Sequence, residues 1–243
     1  MPKHAVLSTR SGRADNELVR VESIMVLVLR GSDRRTRGAG RSRENVLDYT
    51  RLPVKDIERY ARNVQPGAWL VDSDKPLSTL LGSCVAVCLF DPLLKIGGIN
   101  HFMLPDMGRS RHGDVDSMLS GNFAMEALLN ALLGKGAKKV RLQAKAFGGG
   151  TIIDSDRGSL SIGMRNANFA KEWLEREGIP LLSSDFLGPW TRKIIFLPFS
   201  GEAFCKRLVT NMANAEVIAR EERAYAETLL QKPKALDKKI ELF

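Results

Sequence analysis

The sequence predicts one mixed domain of short strands and two helices, framed by a basic N-terminal extension and a charged C-terminal helix. Two patterns carry this. Between Ala68 and Leu104, short apolar runs alternate with turn signals. After them, apolar residues recur twice at helical spacing, over Met125 to Leu133 and again at Phe169 and Trp173. The chain has 243 residues. Domains typically hold roughly 100–200 residues, so one domain with extensions fits the length.

Residues 1–50 differ from the rest. They hold ten Lys/Arg against six Asp/Glu, and Ser32 to Arg43 reads SDRRTRGAGRSR. A segment without apolar periodicity cannot bury enough surface to offset its chain entropy, so 1–50 is expected to be a disordered arm. Met25 is an alternative start. The folded part is expected to begin near Gln65-Pro66-Gly67 and to span 64–208. Ala68 to Val71 and Leu77 to Leu81 read as short strands. Val85 to Phe90 is a continuous apolar run ending at Asp91-Pro92, the pattern of a buried strand. Lys95 to Leu104 is a second such stretch, and the two are expected to pair across the Asp91 turn.

A helix follows, with Met125, Leu128, Leu129, Leu132 and Leu133 on one face, Asn122 as its N-cap and Gly134 and Gly136 as its stop. Val140 to Phe147 alternates and runs into Gly148-Gly149-Gly150. Asn168 to Glu177 reads as the second helix, with Asn166 as its cap. Leu181-Leu182 and Lys193 to Leu197 read as closing strands. Residues 209–243 are expected to form a charged helical appendage, centred on Arg220, Glu221, Glu222 and Arg223.

The formal net charge of +9 suits an anionic partner, whether nucleic acid, a membrane surface or an acidic protein segment. Cys84, Cys88 and Cys205 are too few, and odd in number, for a disulfide framework, which fits a reducing cytoplasm. No apolar run approaches the ~20 residues of a membrane span. The run Ile24 to Leu29 is too short for a secretory signal, so a cytoplasmic protein is expected.

Hydrolysing an amide requires a nucleophile, a base and a place for the oxyanion. Cys84 follows Gly82-Ser83 at the junction of a turn and a buried strand. There its sulfur can face outward while nearby backbone N–H groups stay free for an oxyanion. Of three histidines, His4 lies in the arm and His112 in a polar loop expected at Arg109 to Asp114. Only His101 lies in an apolar, strand-like segment. Ser78 and Thr79, six and five residues before Cys84, can both supply the hydroxyl that orients an imidazole. The same residues also accommodate a small buried cysteine and a satisfied core histidine. Cys84, Cys88 and His101 lack a fourth zinc ligand at normal spacing, so no metal is expected. Gly148-Gly149-Gly150 has no following Lys-Ser/Thr and reads as a tight turn rather than a phosphate loop.

The stretch Ser78-Thr79-Leu80-Leu81-Gly82-Ser83-Cys84-Val85-Ala86-Val87-Cys88-Leu89-Phe90-Asp91 closely resembles the signature of the CheD family of chemoreceptor glutamine deamidases. So do Ile96 to Pro105, Ala144 to Gly150 and Ile162-Gly163-Met164-Arg165-Asn166, in order, and the resemblance covers Pro66 to Leu208. It implies Cys84 as nucleophile, His101 as base and Ser78 in the place of the family's threonine, with no cofactor. The stretch Phe186 to Lys193 departs from the family pattern. The resemblance implies an α+β fold, a sandwich-like β core with flanking helices, similar to the catalytic domain of the cytotoxic necrotizing factor toxins. It also implies the substrates, glutamines on the cytoplasmic adaptation helices of methyl-accepting chemotaxis receptors, and a CheC-type phosphatase as a further partner. No nucleic acid and no membrane insertion are implied. The alternatives are a non-catalytic docking module and another thiol hydrolase.

Overall fold

The protein is described by a computed structural model. It covers residues 19–21, 48–104, 111–151 and 162–208, together with 218, 220–222, 224, 225 and 227. Two five-stranded sheets pack face to face, an α+β arrangement with few helices. One sheet runs β1-β10-β9-β4-β2 and the other β3-β6-β5-β7-β8. The strands of the first are β1 (Val19–Val21), β2 (Arg62–Asn63), β4 (Leu77–Leu81), β9 (Thr191–Leu197) and β10 (Glu202–Leu208). Those of the second are β3 (Trp69–Asp72), β5 (Val85–Asp91), β6 (Ile96–Asn100), β7 (Gln143–Gly148) and β8 (Leu181–Phe186).

The apolar run of β5 is continuous because both its faces are buried. Val85, Val87 and Leu89 point to a core shared with α2 (Arg111–Gly134) and α3 (Ile162–Arg176), where Met125, Leu128, Leu132, Phe169 and Trp173 close the layer. Cys84, Ala86 and Cys88 point the other way, into the space between the sheets, against Leu77, Leu81, Ile194 and Phe196. A strand with two covered faces has no polar face to alternate with. A third core, Ile57, Ile195, Leu197 and Phe204, lies on the outer side of the first sheet, with Ile57 supplied by α1 (Val54–Tyr60).

The hairpin expected at Asp91 forms. β5 and β6 pair antiparallel with Cys88 opposite Ile99 and Asp91 opposite Ile96. The Asp91 carboxylate accepts hydrogen bonds from the N–H groups of Leu93, Leu94 and Lys138 and an ion pair from Arg141. Burial opposes its ionisation, but Arg141 and the backbone donors outweigh that and hold its pKa to about 2.

Several local expectations change. α2 begins at Arg111, so Asn122 lies inside the helix and accepts from Arg176 instead of capping. His112 lies in α2, outside the polar loop expected for it; residues 105–110 lie outside the described residues. α3 begins at Ile162, which puts Asn166 within its second turn. Within the arm expected to be disordered, Val19–Val21 pairs with Ala203 to Cys205 at the edge of β10. The remainder of 1–47 lies outside the described residues. Three strands, β1, β2 and β10, had no clear sequence signal.

Candidate active site

Residues Gly82, Ser83 and Cys84 connect β4 in one sheet to β5 in the other. All three of their carbonyls are held from the scaffold side. Gly82 O accepts from Gly150 N at 2.8 Å, Cys84 O from Gly149 N at 2.8 Å, and Ser83 O from the Asn166 side-chain amide at 2.8 Å. With the carbonyls fixed outward, the three N–H groups turn inward together, a backbone nest that attracts anions. The glycines that hold the turn permit that closeness. Gly148 and Gly149 have φ of 120° and 66°, and a Cβ on Gly148 would strike Cys84 O. Gly148-Gly149-Gly150 is therefore a backbone clamp on the cysteine turn.

Asn166 works at the same joint. Besides donating to Ser83 O, its Oδ1 accepts from Leu104 N at 2.8 Å, and the residue is fully buried. It ties α3 to the cysteine turn and to the chain just past His101. Its sequence signal, a polar residue before an apolar helix face, reads equally as a cap. Only the tertiary placement separates the two roles.

His101 follows β6 and is fixed through its backbone. Its N–H donates to Ala68 O at 3.0 Å and its carbonyl accepts from Gly67 N at 2.7 Å. The register that sets Val85 opposite Phe102 puts Cys84 and His101 on the same face, offset diagonally. Diagonal neighbours on one sheet face have α-carbons ~7–8 Å apart, within reach of long side chains. A ring nitrogen of His101, Cys84 Sγ and a carboxylate oxygen of Glu222 all lie within 4.8 Å of one another.

The orienting hydroxyl belongs to Thr79, not Ser78. Thr79 Oγ1 lies 2.8 Å from His101 Nδ1 and donates to Val64 O at 2.7 Å. A hydroxyl has one proton. With that proton on Val64 O, Thr79 accepts from Nδ1–H, so Nε2 is the unprotonated nitrogen. His101 Nε2 is buried with no hydrogen-bond partner among the described residues. Ser78 faces the other side of β4, where it sits opposite Ile195 in the outer core. Thr79 sits opposite Ile194, which belongs to the core between the sheets. Successive residues of a strand point to opposite faces, so only one of the two can reach His101. The structure thus differs from the alignment with the family threonine that put Ser78 in this role.

The fourth residue at the site was expected only as part of a solvated, charged helix. Glu222, in the C-terminal segment expected to be an appendage, is 2% exposed and enters the nest. Its Oε1 accepts from Gly82 N at 3.0 Å and Cys84 N at 3.1 Å. Its Oε2 accepts from Ser83 N at 3.1 Å and Ser83 Oγ at 2.6 Å. Both oxygens are engaged by protein donors, which is a hydrogen-bonding arrangement and not a metal-ligand one. Burial pushes the Cys84 thiol well up, and the Glu222 carboxylate adds to the shift. Burial likewise pushes His101 down, with Glu222 acting in the opposite direction. Both shifts favour the uncharged forms of the pair. Cys88 and Cys205 are also buried and raised, Cys88 in the middle of β5 and Cys205 beside Asp185.

A cysteine, an imidazole held in one tautomer by a hydroxyl, and two N–H groups converging on one oxygen are the parts of a thiol-dependent amide hydrolase or acyl-transfer site. Comparison with known proteins gives the family. The family model for CheD chemotactic sensory transduction matches residues 103–207. A probable chemoreceptor glutamine deamidase of Dechloromonas aromatica is 68% identical over 197 residues, which is 81% of this chain and 100% of that protein. Proteins of the same description from Burkholderia thailandensis and Bordetella avium are 46% and 43% identical, each over 70% of this chain and 87% and 76% of their own. The chain belongs to the CheD family. Among solved structures, it is similar to the hypothetical protein YfiH of Bacillus licheniformis, with TM-score 0.33, 11% identity and coverage of 57% of this chain and 60% of that one. It is also similar to a protein of Neisseria meningitidis, with TM-score 0.37, 10% identity and coverage of 65% and 78%.

Proposed function

We propose that the protein deamidates glutamine side chains on chemotaxis receptors, with Cys84 as nucleophile, His101 as base and Thr79 as the residue that orients His101. The observation that carries this reading is the pair of N–H groups, Gly82 and Cys84, that meet at one oxygen position beside the Cys84 sulfur. A glutamine oxygen at that position gains negative charge as the sulfur attacks, and the two donors are already aimed at it.

In this reading the thiol sulfur attacks the carboxamide carbon while His101 Nε2 takes the thiol proton. His101 then returns that proton to the departing nitrogen, which leaves as ammonia. The resulting thioester is attacked by water, with His101 again accepting the proton. Glutamate is released and the thiol is restored. Thr79 keeps the proton on Nδ1, so Nε2 is available at both steps.

The family membership supports the substrate class, because the relatives are described as chemoreceptor glutamine deamidases. The net charge of +9 suits the glutamate-rich adaptation helices that the family resemblance implies. We extend the same reading to a CheC-type phosphatase as a second partner, to a cytoplasmic location, and to likeness of the two-sheet core with the cytotoxic necrotizing factor catalytic domain. No helix among the described residues is long and apolar enough to cross a membrane. The test is mass spectrometry of a receptor cytoplasmic fragment after incubation. Conversion of a glutamine to glutamate supports deamidation, a cut chain means proteolysis, and an unchanged fragment supports a docking module.

A further inference from the structure

Glu222 occupies the place that the reaction reserves for its own product. In the proposed reaction the product is a glutamate side chain, leaving a site built from Cys84, His101 and the Gly82-Ser83-Cys84 nest. Glu222 is a glutamate side chain on a helix, seated in that nest by four hydrogen bonds. The described residues around it are helical, and two of them anchor the segment. Ile218, four residues before, is 4% exposed. Tyr225, three residues after, packs on the core between the sheets and lies over Gly67, where an added Cβ would collide with its ring. Residues 218, 222 and 225 fall on one face of a helix by their spacing.

We propose that the C-terminal segment around Glu222 is a tethered product analogue that blocks the active site, and that a receptor helix must displace it before Cys84 can react. The proposal rests on the deamidase reading for the identity of the product. The blockage itself rests only on geometry.

Two physical features make the carboxylate a better occupant than a substrate amide. Four donors face it, and a carboxylate accepts on both oxygens. A glutamine carboxamide has one accepting oxygen, and its NH2 group would meet the Ser83 N–H donor to donor. The charge also acts on the nucleophile, because an anion beside a thiol disfavours the thiolate. Displacing Glu222 therefore both opens the site and makes Cys84 easier to ionise. The displacing helix is read from the displaced one. It would carry the reacting glutamine in the register of Glu222, an apolar side chain four residues before it, and a large, partly apolar one three residues after it.

The test uses the full chain as wild type, Glu222→Ala and Glu222→Lys. The lysine places a cation against the N–H donors and cannot remain in the nest. The two variants also guard against a single failure to fold. Two rates are measured on each folded protein, alkylation of Cys84 by iodoacetamide and ammonia release from a receptor fragment. The proposal expects both variants to be alkylated at Cys84 at least ~10-fold faster than wild type, since the occupied and open states must differ by more than ~1.4 kcal/mol for the block to matter. Ammonia release is expected to rise in the same direction. Cys84 alkylation equal to or slower than wild type in a folded variant overturns the proposal, even if ammonia is released normally. Faster alkylation with no ammonia from any of the three proteins upholds the block and overturns the deamidase reading instead.

Discussion

Strand β5 ends in a buried carboxylate on both sides, and the two are held in different ways. At its C-terminal end Asp91 belongs to the strand itself and is bound by the turn it closes, by Lys138 N and by Arg141. At its N-terminal end the carboxylate comes from a distant part of the chain. Glu222 comes from 138 residues beyond Cys84, and its four donors are all neutral. The first arrangement has a cation, Arg141, and two donors from the Asp91 turn itself, and it fixes a hairpin. The second has a nest of backbone N–H groups with the Ser83 hydroxyl, no charge partner among those donors, and a thiol and an imidazole within 4.8 Å. A carboxylate that stabilises a fold is neutralised. The one beside the thiol is met by dipoles, which would serve the developing charge of the proposed reaction equally well.

The largest expected effect lies at the Cys84 end. His101→Ala should lower the deamidation rate by several orders of magnitude with little change in melting temperature, because nucleophile and base act as a unit. His112→Ala should be near normal in the same ammonia assay. If both variants retain full rate, the N-terminal end of β5 is no more catalytic than the Asp91 end.

The next effect separates two neighbours. Thr79→Ala should lower the rate by ~10–100-fold, because the imidazole loses the partner that keeps its proton on Nδ1. Thr79→Ser should retain most of it, and Ser78→Ala should be close to wild type. The reverse order would put the wrong face of β4 toward His101.

At the other end of β5 the readout is stability. Asp91→Ala should cost ~1–3 kcal/mol in denaturant unfolding, the typical loss when buried donors are left without their acceptor. It should leave the rate of the folded enzyme nearly unchanged. The depressed pKa of about 2 also gives a sign. Asp91 contributes stability fully above its unfolded value of ~3.9, and that contribution is lost as pH falls toward 2. Asp91→Asn should flatten the acid limb of the stability curve. An unchanged limb would remove Asp91 from this account.

The smallest effect belongs to His101 as a titrating group. Burial depresses its pKa, so the unfolded chain binds more protons below its ordinary value of ~6.5. Wild-type stability should therefore fall as pH drops below that value, and the His101→Ala variant should lose that part of the slope. Equal slopes would show that His101 titrates alike in the two states.

Much of this site was legible in the sequence, for reasons specific to each residue. Cys84 and His101 stand in two apolar runs joined by an Asp-Pro turn, and antiparallel pairing of such runs leaves few registers to consider. The choice between Ser78 and Thr79 was not legible. It depends on which face of β4 turns toward the second sheet, and a shift of one residue exchanges the faces. Asn166 had a local explanation as a cap and a non-local role holding Ser83 O, and only packing distinguishes them. Glu222 was invisible for a stronger reason. A charged helix reads as solvated unless something buries it, and three of the four donors in its nest are backbone N–H groups, which carry no side-chain signature. The strands β1, β2 and β10 were missed for a similar reason, since pairing with β10, β4 and β9 decides them rather than their own composition.

The proposed reaction places the chemistry on Cys84. The most direct measurement is the mass of a receptor cytoplasmic fragment after incubation with wild-type protein, with Cys84→Ala and with Cys88→Ala. The expected result is the amide-to-acid mass gain at discrete glutamines with wild type and with Cys88→Ala, and an unmodified fragment with Cys84→Ala. The same gain with folded Cys84→Ala would contradict it.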